Sequence, residues 1–202
     1  FALVASSRPA SADIDPASGI DFVRITNPNN APWPGTNPPI PGDRAVGRGS
    51  VGYEYSIGKF EVTTAQWVEF FNAAYDRPAG DFIPYLQSPQ FWGGAPTPPI
   101  NSTNPAARRW SASGAAGLLP TGDISWRTAA IFCNWLHNNK GTHRDAFLNG
   151  AYDVSTFGYT PGGRILDQLS RSPGARYWIP SWDEWIKAAH FDPNKLNTDG
   201  ST

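Results

Sequence analysis

Apolar and polar positions fall into three short helical patterns separated by long stretches without periodicity. In the first, Trp67, Phe70, Phe71, Ala74 and Tyr75 recur at helical spacing and predict an amphipathic helix with an aromatic face. Thr63 and Gln66 stand just before it as a capping box, a hydroxyl and an amide that can each satisfy one backbone N–H of the first turn. In the second, Ser125 can cap a helix on which Trp126, Ala129, Ala130, Cys133 and Leu136/His137 share one side. The third runs from Tyr177 to Lys195. Pro180 cannot continue a strand ladder; Ser181 can then cap the N–H of Glu184 while the Glu184 carboxylate reaches back. Trp182, Trp185, Ala188 and Ala189 follow at helical spacing, Lys187 and His190 suit the negative end of the dipole, and Asp192-Pro193 stops the helix. Each helix is expected to present tryptophan to a common core.

Between the helices the patterns are weaker. Phe22 to Thr26 alternates and predicts a strand with Phe22 on the core side, and Val51 to Phe60 predicts another. Residues 1–19 are small, polar and interrupted by proline, so they read as an arm outside the core. Pro28 to Pro41 reads as a loop with Trp33 as an anchor or an exposed contact. Gly47-Arg-Gly49-Ser-Val-Gly52 matches the glycine spacing of a dinucleotide loop, but it precedes a strand, so no helix N-terminus would face a phosphate. From Arg77 to Asp123 the chain is irregular, and Phe82, Tyr85, Phe91, Trp92 and Trp110 are expected to cover the core, with an aromatic surface as the alternative. Asn138 to Arg176 is a second irregular stretch, with Val154, Phe157, Tyr159 and Ile165 as strand or anchor residues.

Composition refines this picture. With 202 residues, 40% of them apolar and 13% aromatic, the chain can bury a real core. Twenty glycines and twenty prolines against 16% charged residues point to an ordered, loop-rich fold. A formal net charge of -1 offers no electrostatic case for nucleic acid or an anionic membrane, and no apolar run approaches a membrane span. Cys133 is the single cysteine, so no disulfide forms within the chain, and on an apolar helix face it reads as a small buried hydrophobe. His137, His143 and His190 lack metal-ligand spacing. Asn101-Ser-Thr103 is a glycosylation sequon.

Three motifs, in order, carry a resemblance: the run from Tyr53 to Trp67, Ile124-Ser-Trp-Arg-Thr-Ala-Ala-Ile-Phe-Cys-Asn-Trp-Leu136, and Ile179-Pro-Ser-Trp-Asp-Glu-Trp185. Together they resemble the sulfatase-modifying factor domain typified by the formylglycine-generating enzyme, and Ile20 to Asn30 is similar to the opening strand of an exported bacterial subgroup. The resemblance implies an α+β fold, the complex variant of the C-type lectin fold, with short strands, two to three helices and much ordered coil. It places residues 20–202 in one domain that lacks the family's C-terminal half, and its structural motif residues are Thr63, Gln66, Trp67, Ser125, Trp126, Cys133, Trp135, Pro180, Ser181, Glu184 and Trp185.

Functional expectations follow from that resemblance. The family's oxidases use two cysteines to hold copper(I), which suits soft thiolates; with one cysteine, copper is disfavoured and the reading leans away from an enzyme. Calcium, bound by family domains mostly after the Ile-Pro-Ser helix, has oxygen donors at Asp192, Asn194, Asn197 and Asp199, although a solvated tail is the default for such a run. Trp178 stands where the family places arginine, with Arg176 as a substitute on the same strand face. Three functions stay open: an exported, non-catalytic structural or binding module at the cell surface, the first half of a formylglycine-generating oxidase acting on sulfatase cysteines, and a lectin-like module binding glycan or protein through Trp33, Trp92, Trp110 and Trp182. Without the second half, Trp126, Trp135 and Trp185 are expected to be partly uncovered, closed by a continuation of the chain or by a neighbouring copy in a homo-oligomer, with Phe1 to Asp15 as a donated segment. A removed signal peptide and a secreted or cell-surface location are expected.

Overall fold

A computed structural model describes residues 2–6, 14–36, 38–75, 77–78, 80–96 and 109–192. Within them an antiparallel five-stranded sheet runs in the order β2-β3-β4-β1-β7, formed by β1 (Val4–Ser6), β2 (Ile14–Asp15), β3 (Ile20–Ile25), β4 (Tyr55–Gly58) and β7 (Tyr177–Trp178). A separate two-stranded ribbon pairs β5 (Ala95–Pro96) with β6 (Trp110–Ser111). The helices among the described residues are α1 (Thr64–Tyr75), α2 (Trp126–His137), α3 (Asp145–Leu148) and α4 (Trp182–His190), with 3-10 turns at Gly114–Leu118 and Val154–Thr156. This is an α+β domain with short elements and much coil.

The N-terminal arm expected outside the core is instead partly inside it. Val4 lies opposite Ile57 on β4 and Trp178 on β7, and Leu3 and Val4 are 1% and 0% exposed. A strand paired on both edges uses all of its backbone polar groups, which lets so short a segment be buried. Three residues are too few to show a period, so the sequence pattern carried no sign of it. Here β1 pairs within its own chain, and the Asp15 carboxylate accepts from Ser18 N (3.0 Å), Ser18 Oγ (2.7 Å) and the Tyr177 hydroxyl. Residues 4–6 and 14–15 therefore pair within this chain's own sheet.

Helices α1 and α2 hold the aromatic core. Trp67 stacks on Phe132 with ring centroids 5.0 Å apart, and Phe70 meets Phe132 edge-on at 5.2 Å and Trp135 at 5.6 Å. Such pairs add about 0.5–1.5 kcal/mol each beyond their buried area. Trp135 is thus buried within the chain, contrary to the expectation that it would be left uncovered, while Trp126 is half-buried against Tyr152 and Phe157. Every residue of α2 from Thr128 to Leu136 is buried, Cys133 included. Asn134 is satisfied there by donating to the carbonyls of Phe147 (3.0 Å) and Tyr152 (2.9 Å) and accepting from Tyr152 N (2.7 Å), which ties the loop after α2 to the helix.

The irregular stretches divide in two. Trp92 and Trp110 pack on Phe71 at 5.7 and 5.8 Å, so these candidate binding aromatics serve as a cover for the core. Phe82, Tyr85 and Phe91, expected to cover it as well, are exposed. Val154 and Phe157 are buried anchors, whereas Tyr159 and Ile165 form an exposed bridge. The sequon at Asn101 lies outside the described residues.

Because Leu3, just before β1, is buried in the core, Leu3→Ala is expected to destabilise the fold by about 2–5 kcal/mol. A surface arm would change by no more than about 0.5 kcal/mol. Urea-induced unfolding followed by tryptophan fluorescence distinguishes the two.

Candidate functional site

The helix α4 is positioned by a side chain that its own capping requires. Ser181 Oγ accepts from Glu184 N at 3.2 Å and Glu184 Oε2 accepts from Ser181 N at 2.7 Å, a reciprocal box at the end of β7. The same carboxylate is 2% exposed and gathers further donors through Oε1: the Tyr53 hydroxyl at 2.8 Å and the Trp178 indole N–H at 2.9 Å. Arg171 Nη1 lies 3.6 Å from that oxygen, and its guanidinium lies over the Trp178 ring at 3.5 Å and the Tyr53 ring at 5.1 Å. Two residues on from Tyr53 and fully buried, Tyr55 donates its hydroxyl to the Glu184 carbonyl at 2.5 Å. Burial first, and then the hydrogen bond to Glu184, push the Tyr53 hydroxyl up to about 12, so it stays a donor at neutral pH.

The arginine beside this motif is therefore Arg171 and not Arg176. Arg176 turns away, its guanidinium donating to the His137 carbonyl (3.3 Å) and to Asn139 Oδ1 (2.6 Å). The sequence points to a same-face neighbour along β7, but Arg171 arrives from a loop, a placement that no period encodes. It takes over the charge that the indole at position 178 cannot supply.

The orientation of α4 is also the reverse of the expected one. Its buried residues are Glu184, Ile186 and Lys187, whereas Trp182 and Trp185 are 56% and 45% exposed and Ala189 lies on their side. Of the apolar stripe seen in the sequence, Trp182, Trp185 and Ala189 face solvent, while Ala188 packs against the core. Lys187, placed by its sequence position at the helix end, is 1% exposed, and its Nζ donates to the Asn27 carbonyl at 2.7 Å. Desolvation lowers its pKa from the ordinary lysine value. The loop around Gly49 completes the fit: Gly49 N donates to Asp183 Oδ1 at 2.8 Å, and at φ +84° a Cβ there would meet Ile186 Cγ2 at 2.8 Å. Polar partners for Glu184 and Lys187, and a glycine floor under Ile186, decide which face is buried. Outside, Trp182 and Trp185 lie nearly parallel, 24° apart with centroids at 6.3 Å, and His190 meets Trp185 edge-on at 6.0 Å.

The remaining motif residues occupy other places. Thr63 N donates to Gln66 Oε1 at 2.9 Å and Gln66 N to Thr63 Oγ1 at 3.4 Å, and Ser125 Oγ accepts from Thr128 N at 3.2 Å. Trp67, Trp135 and Cys133 share the core of α1 and α2, and Pro180 leads into Ser181. Trp33 is exposed, with its indole N–H 3.4 Å from Asp43 Oδ2. Copper(I) between two thiolates does not fit these residues, since Cys133 is the single cysteine, fully buried, with its thiol pushed well above the usual range by desolvation. Among the described residues no group of three or more His, Cys, Asp or Glu side chains could hold a metal ion. Of the oxygen donors considered for calcium only Asp192 is described; Asn194, Asn197 and Asp199 lie outside. No helix among the described residues is long and apolar enough to cross a membrane.

A second ion pair braces the loop that ends near Arg171. Arg127 donates to Asp167 from Nε (2.7 Å) and Nη2 (2.8 Å), with its guanidinium 5.0 Å from the Tyr85 ring and 4.7 Å from the Tyr159 ring. The Arg127 hydrogen bonds hold the Asp167 carboxyl below its ordinary value. Burial, with a contribution from Arg176, likewise lowers His137 from 6.5.

Ser181→Ala is expected to cost about 1 kcal/mol by removing the acceptor of the Glu184 N–H. Glu184→Ala is expected to cost more, because it strands the buried Trp178 indole N–H, at about 1–3 kcal/mol, and removes the acceptor of the Tyr53 hydroxyl. Thermal and urea unfolding measure both. Stability is also expected to fall with acidification in two windows. The unfolded chain protonates His137 below pH 6.5 before the folded chain does, and protonates Asp167 below 3.8 while the folded carboxyl resists. Each contribution is complete above the unfolded pKa and is lost as pH drops through the lower folded one. His137→Gln should flatten the first window in urea titrations taken across pH.

The sequence model of the Sulfatase-modifying factor enzyme 1-like domain, FGE-sulfatase, matches residues 41–197. No curated protein and no solved structure matches the chain. The matched range takes in α1, α2 and the Ser181–Glu184 cap of α4 and well over half of the 202 residues, so the chain belongs to the sulfatase-modifying factor enzyme 1-like family.

Proposed function

We propose that this family member is an exported, non-catalytic binding module at the cell surface, built on the complex variant of the C-type lectin fold. The observation that carries the proposal is the contrast between its thiol and its indoles. Cys133 is sealed inside α2 with a raised pKa, where neither a metal nor a peptide substrate reaches its sulfur, while Trp182 and Trp185 stand on the surface of a helix whose other face is fixed by buried polar contacts. A buried, protonated thiol is a packing group; exposed aromatics on a rigid element are what recognition surfaces use.

A second reading, favoured by the family match, makes these residues part of a formylglycine-generating oxidase. Incubating the protein with a sulfatase-derived cysteine peptide under oxygen, with and without copper(I), separates the two. The binding-module reading expects no cysteine-to-formylglycine conversion by mass spectrometry, and no alkylation of Cys133 by iodoacetamide until the chain is unfolded. Conversion of the peptide, or rapid labelling of the folded protein, overturns it.

A further inference from the structure

The last strand of a sheet leaves backbone N–H groups without a neighbouring strand to accept them. At β7, which ends the five-stranded sheet, the N–H groups on either side of the strand are taken by side chains. Arg176 N donates to His137 Nδ1 at 3.1 Å, and Ile179 N donates to the Tyr152 hydroxyl at 3.1 Å. The two acceptors differ in kind. The Tyr152 oxygen accepts at any ordinary pH, its own proton held by burial, whereas the ring nitrogen that accepts at His137 is the one that imidazolium formation would protonate.

His137 ends α2, and its ring is boxed in: a Cβ on Gly150, at φ +138°, would stand 2.9 Å from its Cδ2. On the other side the Arg176 guanidinium donates to the His137 carbonyl and to Asn139 Oδ1. The segment leading to Arg176 is a tight turn, Ser172-Pro-Gly-Ala175, closed by Ala175 N on the Ser172 carbonyl at 3.1 Å. Pro173 and Gly174, the latter at φ +78°, occupy the positions that a type II turn assigns them. Arg171, at the entrance to this turn, lies over Trp178 and faces Glu184. The charge that bears on the imidazole is Arg176; Gly150 from the loop after α3 and the amides of Asn138 and Asn139 at the helix end are uncharged. The carbonyl end of α2 favours an imidazolium, but desolvation and then Arg176 oppose it and prevail.

We propose that His137 is an acid-released latch on the edge of β7, holding the 172–176 turn against the end of α2 only while its Nδ1 is unprotonated. Once Nδ1 carries a proton taken from solvent, two donors face each other and a second cation stands beside Arg176. The ring cannot turn into Gly150, so the turn lets go, and with it the segment that carries Arg171 to Glu184. The neutral, closed form is complete above the ordinary histidine value of 6.5, and opening proceeds as pH falls through the lower value of the folded chain. The device is local and does not depend on whether the domain is catalytic.

NMR of the intact, isotopically labelled chain tests this, following histidine side chains and amide hydrogen exchange from about pH 7.5 to about pH 4.5. His137 is expected to titrate below 6.5, with the Arg176 amide signal moving at the same midpoint. Exchange at Arg176, corrected for its intrinsic pH dependence, should quicken about tenfold while the Ser181 amide and the amides of α2 stay protected. His137→Asn, whose Oδ1 can accept from Arg176 N and does not titrate, should keep the latch closed throughout. A His137 midpoint at or above 6.5, or Arg176 protection indifferent to pH, overturns the proposal. So does an equal acid response in His137→Asn, or loss of protection at Arg176, Ser181 and α2 together, which is global unfolding. The native titration decides the matter even where the variant fails to fold.

Discussion

The buried carboxylate of Glu184 is the interaction on which the rest of this domain depends. A carboxylate taken out of water without partners would be too costly to keep charged, so its place dictates what surrounds it. The first turn of α4, the indole N–H of Trp178 on β7, the hydroxyl of Tyr53 ahead of β4, and the guanidinium of Arg171 from a distant loop all converge on its two oxygens. Each comes from a different part of the chain. The network therefore works as a joint between sheet, helix and coil, and it sets the rotation of α4 about its own axis. With Glu184 inward, Lys187 one turn later must also be inward and find its carbonyl, and Trp182 and Trp185 must be outward.

A joint of this kind matters more in a fold that is mostly coil. Among the described residues none of the α-helices exceeds three turns or so, and the longest strand, β3, has six residues. Regular hydrogen-bond ladders alone cannot hold such a chain. The aromatic cluster of Trp67, Phe70, Phe132 and Trp135 provides the apolar half of the answer, and side chains that bond to backbone supply the polar half. Asn134 under the loop after α2 and Thr64 on the Leu119 carbonyl at 2.9 Å pin coil to a helix, and Arg77 on the Thr142 carbonyl at 2.6 Å joins two coil segments. The irregular segments are thereby ordered without becoming regular, as a composition rich in glycine, proline and aromatics requires.

This arrangement divides α4 into a face held by buried polar contacts and a face that carries exposed indoles. The inner face of α4 holds Glu184 and Lys187 with polar partners beside Ile186 and Ala188, and the outer face displays Trp182 and Trp185. Rigidity comes from the first and opportunity for contact from the second. Cys133, by contrast, is spent on packing inside α2. Family membership and local chemistry thus lead to different expectations for this chain, and the local chemistry of Cys133 and of the two indoles is the more specific guide to what these residues can do.

Much of the local architecture was legible in the amino-acid sequence. The three caps at Thr63, Ser125 and Ser181, the aromatic face of α1, the buried cysteine-bearing face of α2 and the family motifs follow from residue types a few positions apart, because capping and helical periodicity act over one or two turns. Only the tertiary structure decided the rest. Val4 enters the sheet between β4 and β7, Arg171 and not Arg176 reaches Glu184, Trp92 and Trp110 turn inward while Phe82 and Phe91 do not, and α4 buries its charges. The physical reason is shared by all four. A period states that a helix or strand has an apolar side, but which side is buried depends on whether distant groups can satisfy the polar atoms on the other, and those partners lie far along the chain, from Asn27, Gly49 and Tyr53 to Glu184 and Lys187.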